Sequence, residues 1–183
     1  MRILVAIILL FVSFCLRAQS NAEVYIDRFD TLAIEVLNTY GIPASLVLGI
    51  ALQESAAGTS KLCRVKHNHF GVKGRVKSSK TRSGYTTTYR RFDTDEEAYL
   101  HFGAFVSGRK YYSVLKCDLD YKKWLKAMKK AGYASSSKWI PRVDNIIKRY
   151  DLTRFDISAD TLVVPVPAGL DTIPLPPKKV IIR

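Results

Sequence analysis

Glu54 is the residue of this chain best placed to do chemistry. It stands in Ala51-Leu52-Gln53-Glu54-Ser55-Ala56-Ala57-Gly58-Thr59-Ser60, where an apolar run ends in one carboxylate and then turns into small polar residues. A carboxyl at the end of a buried helix, beside a cleft, is in the setting that raises its pKa, because desolvation disfavours the charged form. Such a group keeps a proton to give, and protonating a glycosidic oxygen requires that. A Glu in a last helical turn is also commonly just solvated, so the reading rests on its neighbours. Gly58, Thr59 and Ser60 allow a tight turn after the helix, and Asn68-His69-Phe70-Gly71-Val72-Lys73-Gly74 then brings amide, imidazole and aromatic groups toward the same cleft. His67 and His69 read as polar loop residues rather than ligands or bases.

The elements that must hold Glu54 are helical. Val24, Ile26, Phe29, Leu32, Ala33, Val36 and Leu37 recur at three- and four-residue steps and predict a helix from Val24 to Thr39, stopped at Gly41. Pro43 suits the first turn of a second helix, Ala44 to Glu54, which is apolar on nearly every side and so must be central. Strands are predicted near Phe70 to Val76 and Tyr85 to Phe92, the second rich in Thr and Tyr, as one small hairpin. Thr94-Asp95-Glu96-Glu97 reads as a capping box opening a third helix through Phe105, which explains its acids structurally. Further helices are predicted from Tyr121 to Lys130, with Leu119, Trp124, Leu125 and Met128 inward, and from Lys138 to Tyr150, with Ile140, Val143, Ile146 and Ile147 inward.

The ends differ in composition. Arg2, the apolar run Ile3 to Phe14 and Leu16-Arg17-Ala18 read as a signal peptide over residues 1–18, with an uncleaved anchor as the alternative. From 153 to 183, Pro165, Pro167, Pro174, Pro176 and Pro177 predict an extended tail. One domain, residues 19–152, remains, long enough to bury its own core. The formal charge of +13 falls by two, to +11, when Arg2 and Arg17 are removed with the leader. On an exported protein that charge suits anionic envelope polymers better than nucleic acid, since the Lys and Arg residues do not gather on one recognition helix. Cys63 and Cys117 could pair in an oxidising compartment or remain as buried thiols, and their spacing with the histidines matches no zinc pattern.

Four segments in order, YGIPASLVLGIALQESAAGTSKL, NHFGVKG, YRRFDTDEEAYLHFGAFV and AGYASSSKW, resemble the bacterial N-acetylglucosaminidases of glycoside hydrolase family 73, peptidoglycan hydrolases that include flagellum-associated and autolysin-type enzymes. The resemblance covers about Ala33 to Tyr150. It implies a mainly α (α+β) lysozyme-like body with a small β-hairpin lobe flanking a substrate groove. It carries the general acid over to Glu54 and an active-site tyrosine to Tyr133, with a core aromatic as the plainer reading of the latter. Substrate contacts are implied at Asn68, Phe70, Tyr89 and Trp139, although Asn68 could instead order its loop. The implied substrate is peptidoglycan glycan strands, cut after N-acetylglucosamine by an exported monomer with no cofactor and no metal.

One departure bears on mechanism. Many members of the family carry a second acid on the β-lobe, where this chain reads Ser83-Gly84-Tyr85-Thr86-Thr87-Thr88 without a carboxylate. Attack by the substrate's own 2-acetamido oxygen, or by a water held near Tyr133, needs no second acid. A lytic transglycosylase and a catalytically weak glycan-binding domain are the alternative readings.

Overall fold

Ser20 sets the start of the first helix, three residues ahead of the apolar pattern. In the computed structural model, which describes residues 19–77 and 85–157, its hydroxyl accepts from the Glu23 N–H while the Glu23 carboxylate accepts from the Ser20 N–H at 2.7 Å. This closed capping box begins α1 (Asn21–Tyr40), and Gly41 in the left-handed region (φ 65°) ends it. Residues 1–18, which include the expected signal peptide, residues 78–84 between the strands and residues 158–183, which include most of the expected tail, lie outside the described residues.

α2 (Ala44–Ser55) is the axis of the fold. All nine residues from Ala44 to Leu52 are buried, packed by α1 and by later helices. Pro43 is its N-cap rather than part of its first turn and has no side chain to cap with. Asp156 supplies the cap from the far end of the domain, its carboxylate accepting from the Ser45 N–H at 2.8 Å and the Ser45 hydroxyl at 2.6 Å. The folded body therefore runs past the expected limit at Leu152, through a 3₁₀ turn (Leu152–Phe155) that positions Asp156.

A short α3 (Lys61–Lys66), capped by Ser60, leads to the lobe, where β1 (Lys73–Lys77) pairs antiparallel with β2 (Tyr85–Tyr89), Lys73 opposite Tyr89 and Lys77 opposite Tyr85. Both strands are shorter than predicted. Asn68 is the reason: its carbonyl accepts from the Val72 N–H, and its amide donates to the carbonyls of Val72 and Arg90. Those backbone groups are held in a turn instead of a ladder.

The α-helices that follow among the described residues are α4 (Asp95–Ser107), α5 (Tyr112–Leu115), α6 (Tyr121–Lys130) and α7 (Trp139–Arg149). Thr94 caps α4 as expected, although the Glu97 carboxylate accepts from Asp93 rather than from Thr94. Trp124, Leu125, Met128, Val143 and Ile147 are buried, whereas Leu119 is 46% exposed, because it precedes the Asp120 cap of α6 and faces away from the core. No described helix is long and apolar enough to cross a membrane.

His69 departs from the polar loop residue that the sequence predicts, being fully buried. Its Nε2–H donates to Asp95 at 2.9 Å, leaving Nδ1 to accept from the Tyr25 hydroxyl at 2.6 Å. His67 donates to the same Asp95 oxygen at 2.7 Å, so this cluster ties α1, the lobe root and α4 together. Cys63 lies against the His69 ring, its sulfur 3.4 Å from Nδ1, while Cys117 is exposed beside Gly41, so both thiols are free and the possible bridge is not formed.

Burial holds the His69 pKa below its ordinary value of 6.5, against the opposing pull of Asp95. The native state then binds fewer protons than the unfolded chain below about pH 6.5, so stability is lost as pH falls through that region. Tm should drop between pH 7 and pH 5 in a scanning melt. His69→Gln should lower Tm at pH 7 yet flatten that drop.

Candidate active site

Glu54 is presented by an abrupt helix end. After Ser55 the chain takes left-handed backbone three times in succession, at Ala56 (φ 51°), Ala57 (φ 52°) and Gly58 (φ 76°), two of them residues with a Cβ. Such strain persists only where surrounding bonds hold it. Here the Ala57 N–H donates to Leu52 O, the Gly58 N–H to Ser55 Oγ and the Ser60 N–H to Ser55 O. The reversal leaves Glu54 half-buried in a groove of about 780 Å³ between the lobe and the helical body.

Phe70, Gly71, Val72, Lys73 and Tyr89 form the lobe side of this groove, and Tyr133, Trp139 and Arg142 the helical side. Phe70 stacks on Phe102 at 4.2 Å, which gives the floor an apolar base fixed by the core. Gly71, in left-handed backbone, keeps the floor open: a side chain there would begin 3.8 Å from Glu54 Oε2. Tyr89, 45% exposed, stands at the end of β2 as an open aromatic face.

Trp139 makes the direct side-chain contact to Glu54. Its ring is almost wholly buried, and its Nε1–H donates to Glu54 Oε1 at 2.9 Å. An indole can only donate. Oε1 is therefore the accepting oxygen, and any proton on Glu54 is carried by Oε2, which faces Gly71. Tyr133 packs on Trp139 at 5.2 Å and points its hydroxyl toward Phe70 O, 3.5 Å away. Burial first, and the Glu54 charge second, hold its phenol pKa well above 10, so its hydroxyl stays protonated and can only donate or accept as a neutral group.

Five of the six expected site residues, Glu54, Phe70, Tyr89, Tyr133 and Trp139, line one groove. Asn68 does not: it is fully buried and its amide is occupied by backbone groups, so it orders the loop, the second of the two roles open to it. The Glu54–Trp139 bond escaped sequence reasoning, since nothing in the spacing of 85 residues places an indole on that carboxylate. Arg142 also escaped it, although its position three residues after Trp139 on α7 puts both on one helix face. Glu54 is the one carboxylate among the described residues lining the groove. From Lys73 to Phe92 the sequence holds no Asp or Glu.

A helical body, a two-stranded lobe and a groove with a glutamate at a helix end define a lysozyme-like glycoside hydrolase fold. Residues 30–152 match the glucosaminidase family, described as mannosyl-glycoprotein endo-β-N-acetylglucosaminidase, and the chain belongs to that family. It is 28% identical over 151 residues to the exo-glucosaminidase LytG of Bacillus subtilis, covering 73% of this chain and 53% of the relative, so the chain spans about half the length of that curated relative. The fold is shared with the catalytic domain of the autolysin Auto from Listeria monocytogenes (TM-score 0.62, 18% identity, 79% of this chain and 93% of that one). It is shared also with the glycoside hydrolase domain of FlgJ from Salmonella typhimurium (TM-score 0.58, 19% identity, 73% and 90%).

Trp139→Phe keeps the ring and removes the N–H. With a neutral hydrogen bond worth about 0.5–1.5 kcal/mol, kcat should fall about 2- to 10-fold while the circular dichroism spectrum is unchanged.

Proposed function

We propose that this chain is an exported peptidoglycan hydrolase that cleaves the β-1,4 bond after N-acetylglucosamine, with Glu54 as general acid. The observation that carries the reading is the half-buried Glu54 in a sugar-sized groove, one oxygen fixed by Trp139 and the other facing open space beside Gly71. Export is supported by the residues 1–18, with their basic start and short apolar run.

In this reading the Oε2 proton passes to the leaving glycosidic oxygen as the C1–O bond breaks. The 2-acetamido oxygen of the same sugar closes on C1, which accounts for the absence of a second carboxylate from the lobe sequence. Water then adds to C1, opening the ring formed by the acetamido group, and its proton returns to Glu54. Tyr133, a neutral donor at the groove wall, orients the acetamido group. Phe70 and Tyr89 offer apolar faces to the sugar rings.

Mass analysis of borohydride-reduced digests tests the bond specificity. Fragments ending in reduced N-acetylglucosamine are expected. Anhydro-muramic ends would instead identify a lytic transglycosylase, and binding to sacculi without any cleavage would identify a glycan-binding domain.

A further inference from the structure

The charge of the groove is unlike what a neutral sugar chain needs. Glu54 is accompanied there by three cationic side chains, Lys73, Arg90 and Arg142. Arg90 is already engaged, with Glu97 at 3.6 Å and with His101 Nε2 at 2.9 Å. Arg142 is exposed on α7, and its guanidinium has no hydrogen-bond or ion-pair partner among the described residues. Lys73, also exposed, begins β1 on the facing wall, and among the described residues its ammonium has only the Tyr89 ring nearby, 5.8 Å from the centroid. The wall that carries Arg142 is preorganised: Lys129 donates to the carbonyls of Ala134, Ser135 and Ser136 at 2.7–2.9 Å, which fixes the loop leading into α7.

We propose that Arg142, assisted by Lys73 across the groove, binds a carboxylate carried by the substrate strand, so that the site prefers anionic glycan over neutral glycan of the same length. The inference rests on the peptidoglycan reading above. Sugar hydroxyls and acetamides give an unpaired guanidinium no ionic partner, whereas a planar carboxylate matches its fork of donors. Two sources on the strand carry that group: the stem peptides, and the lactyl side chain once a peptide has been removed. Arg142 is a specificity residue here and has no part in the bond-breaking step.

The test compares soluble peptide-bearing strands with the same strands after carbodiimide amidation, which turns carboxylates into neutral carboxamides of nearly equal size. For the wild-type protein, amidation should lower kcat/KM about 10-fold, about 1.4 kcal/mol, mainly through KM. In Arg142→Gln the penalty for amidation should shrink to about 2-fold, and Lys73→Gln should show a smaller shrinkage. Peptide-free strands assayed in the same way locate the source: a penalty retained there assigns the lactyl carboxylate, and one lost there assigns the stem peptide. Wild-type cleavage indifferent to amidation, or an Arg142→Gln variant as sensitive as wild type, would overturn the proposal and leave the hydrolase reading standing. Failure of the wild type to cut any of these strands would overturn both.

Discussion

Glu54→Gln should lower kcat on peptidoglycan by about 10²–10⁴-fold, the range that general acid catalysis supplies, while binding to sacculi persists. The amide preserves the shape and can still accept from Trp139 Nε1 through its carbonyl oxygen, so the 2.9 Å contact survives. What is lost is the proton on the oxygen facing Gly71. No other carboxylate among the described residues lines the groove to take over the transfer, and Tyr133 holds its own proton too tightly. A release assay for reducing ends, run beside a sacculus pull-down, separates the two effects. A variant that loses binding in parallel with rate points to a structural role for Glu54.

The largest expected loss of stability is at Gly103, on the buried face of α4. There α4 crosses the end of α1 so closely that a Cβ would stand 2.3 Å from Tyr40 Cδ2 and 3.1 Å from Tyr40 Cγ, the root of that ring. The ring cannot simply swing aside, because the adjoining backbone is fixed: Tyr40 O accepts from the Tyr112 hydroxyl at 2.7 Å, and Gly41 closes the helix. Gly103→Val should therefore destabilise the domain by about 3 kcal/mol and lower Tm by roughly 10 °C, read by a thermal melt. Unchanged Tm would mean that α1 and α4 can separate without loss.

Much of this arrangement was legible in the residues. The largely apolar α2 with Glu54 in its last turn, the Gly41 stop and the Thr94 cap all rest on short-range patterns, and each stands within a residue of where those patterns put it. The Ser20–Glu23 capping box is equally local, but it lies ahead of the apolar period that begins at Val24 and carries no apolar signal of its own. Other features depend on distant partners. The cap on α2 comes from Asp156, 111 residues away, so composition placed the domain limit at Leu152 and missed it. His69 is polar in sequence, but Tyr25 and Asp95 satisfy both ring nitrogens and allow its burial. Asn68 reads in sequence as a substrate contact or a loop-ordering residue, and only the carbonyls of Val72 and Arg90 reveal that its amide is spent on backbone.

The central claim is that Glu54 gives a proton to the leaving group, and a leaving-group comparison tests it most directly. Wild type and Glu54→Gln would be assayed on N-acetylglucosaminyl substrates that differ only in the group released: a sugar hydroxyl, which needs protonation, or dinitrophenolate, which departs without it. A general acid predicts a loss of about 10³-fold on the first and under about 10-fold on the second. Equal losses on both substrates would contradict the account and assign Glu54 to another step.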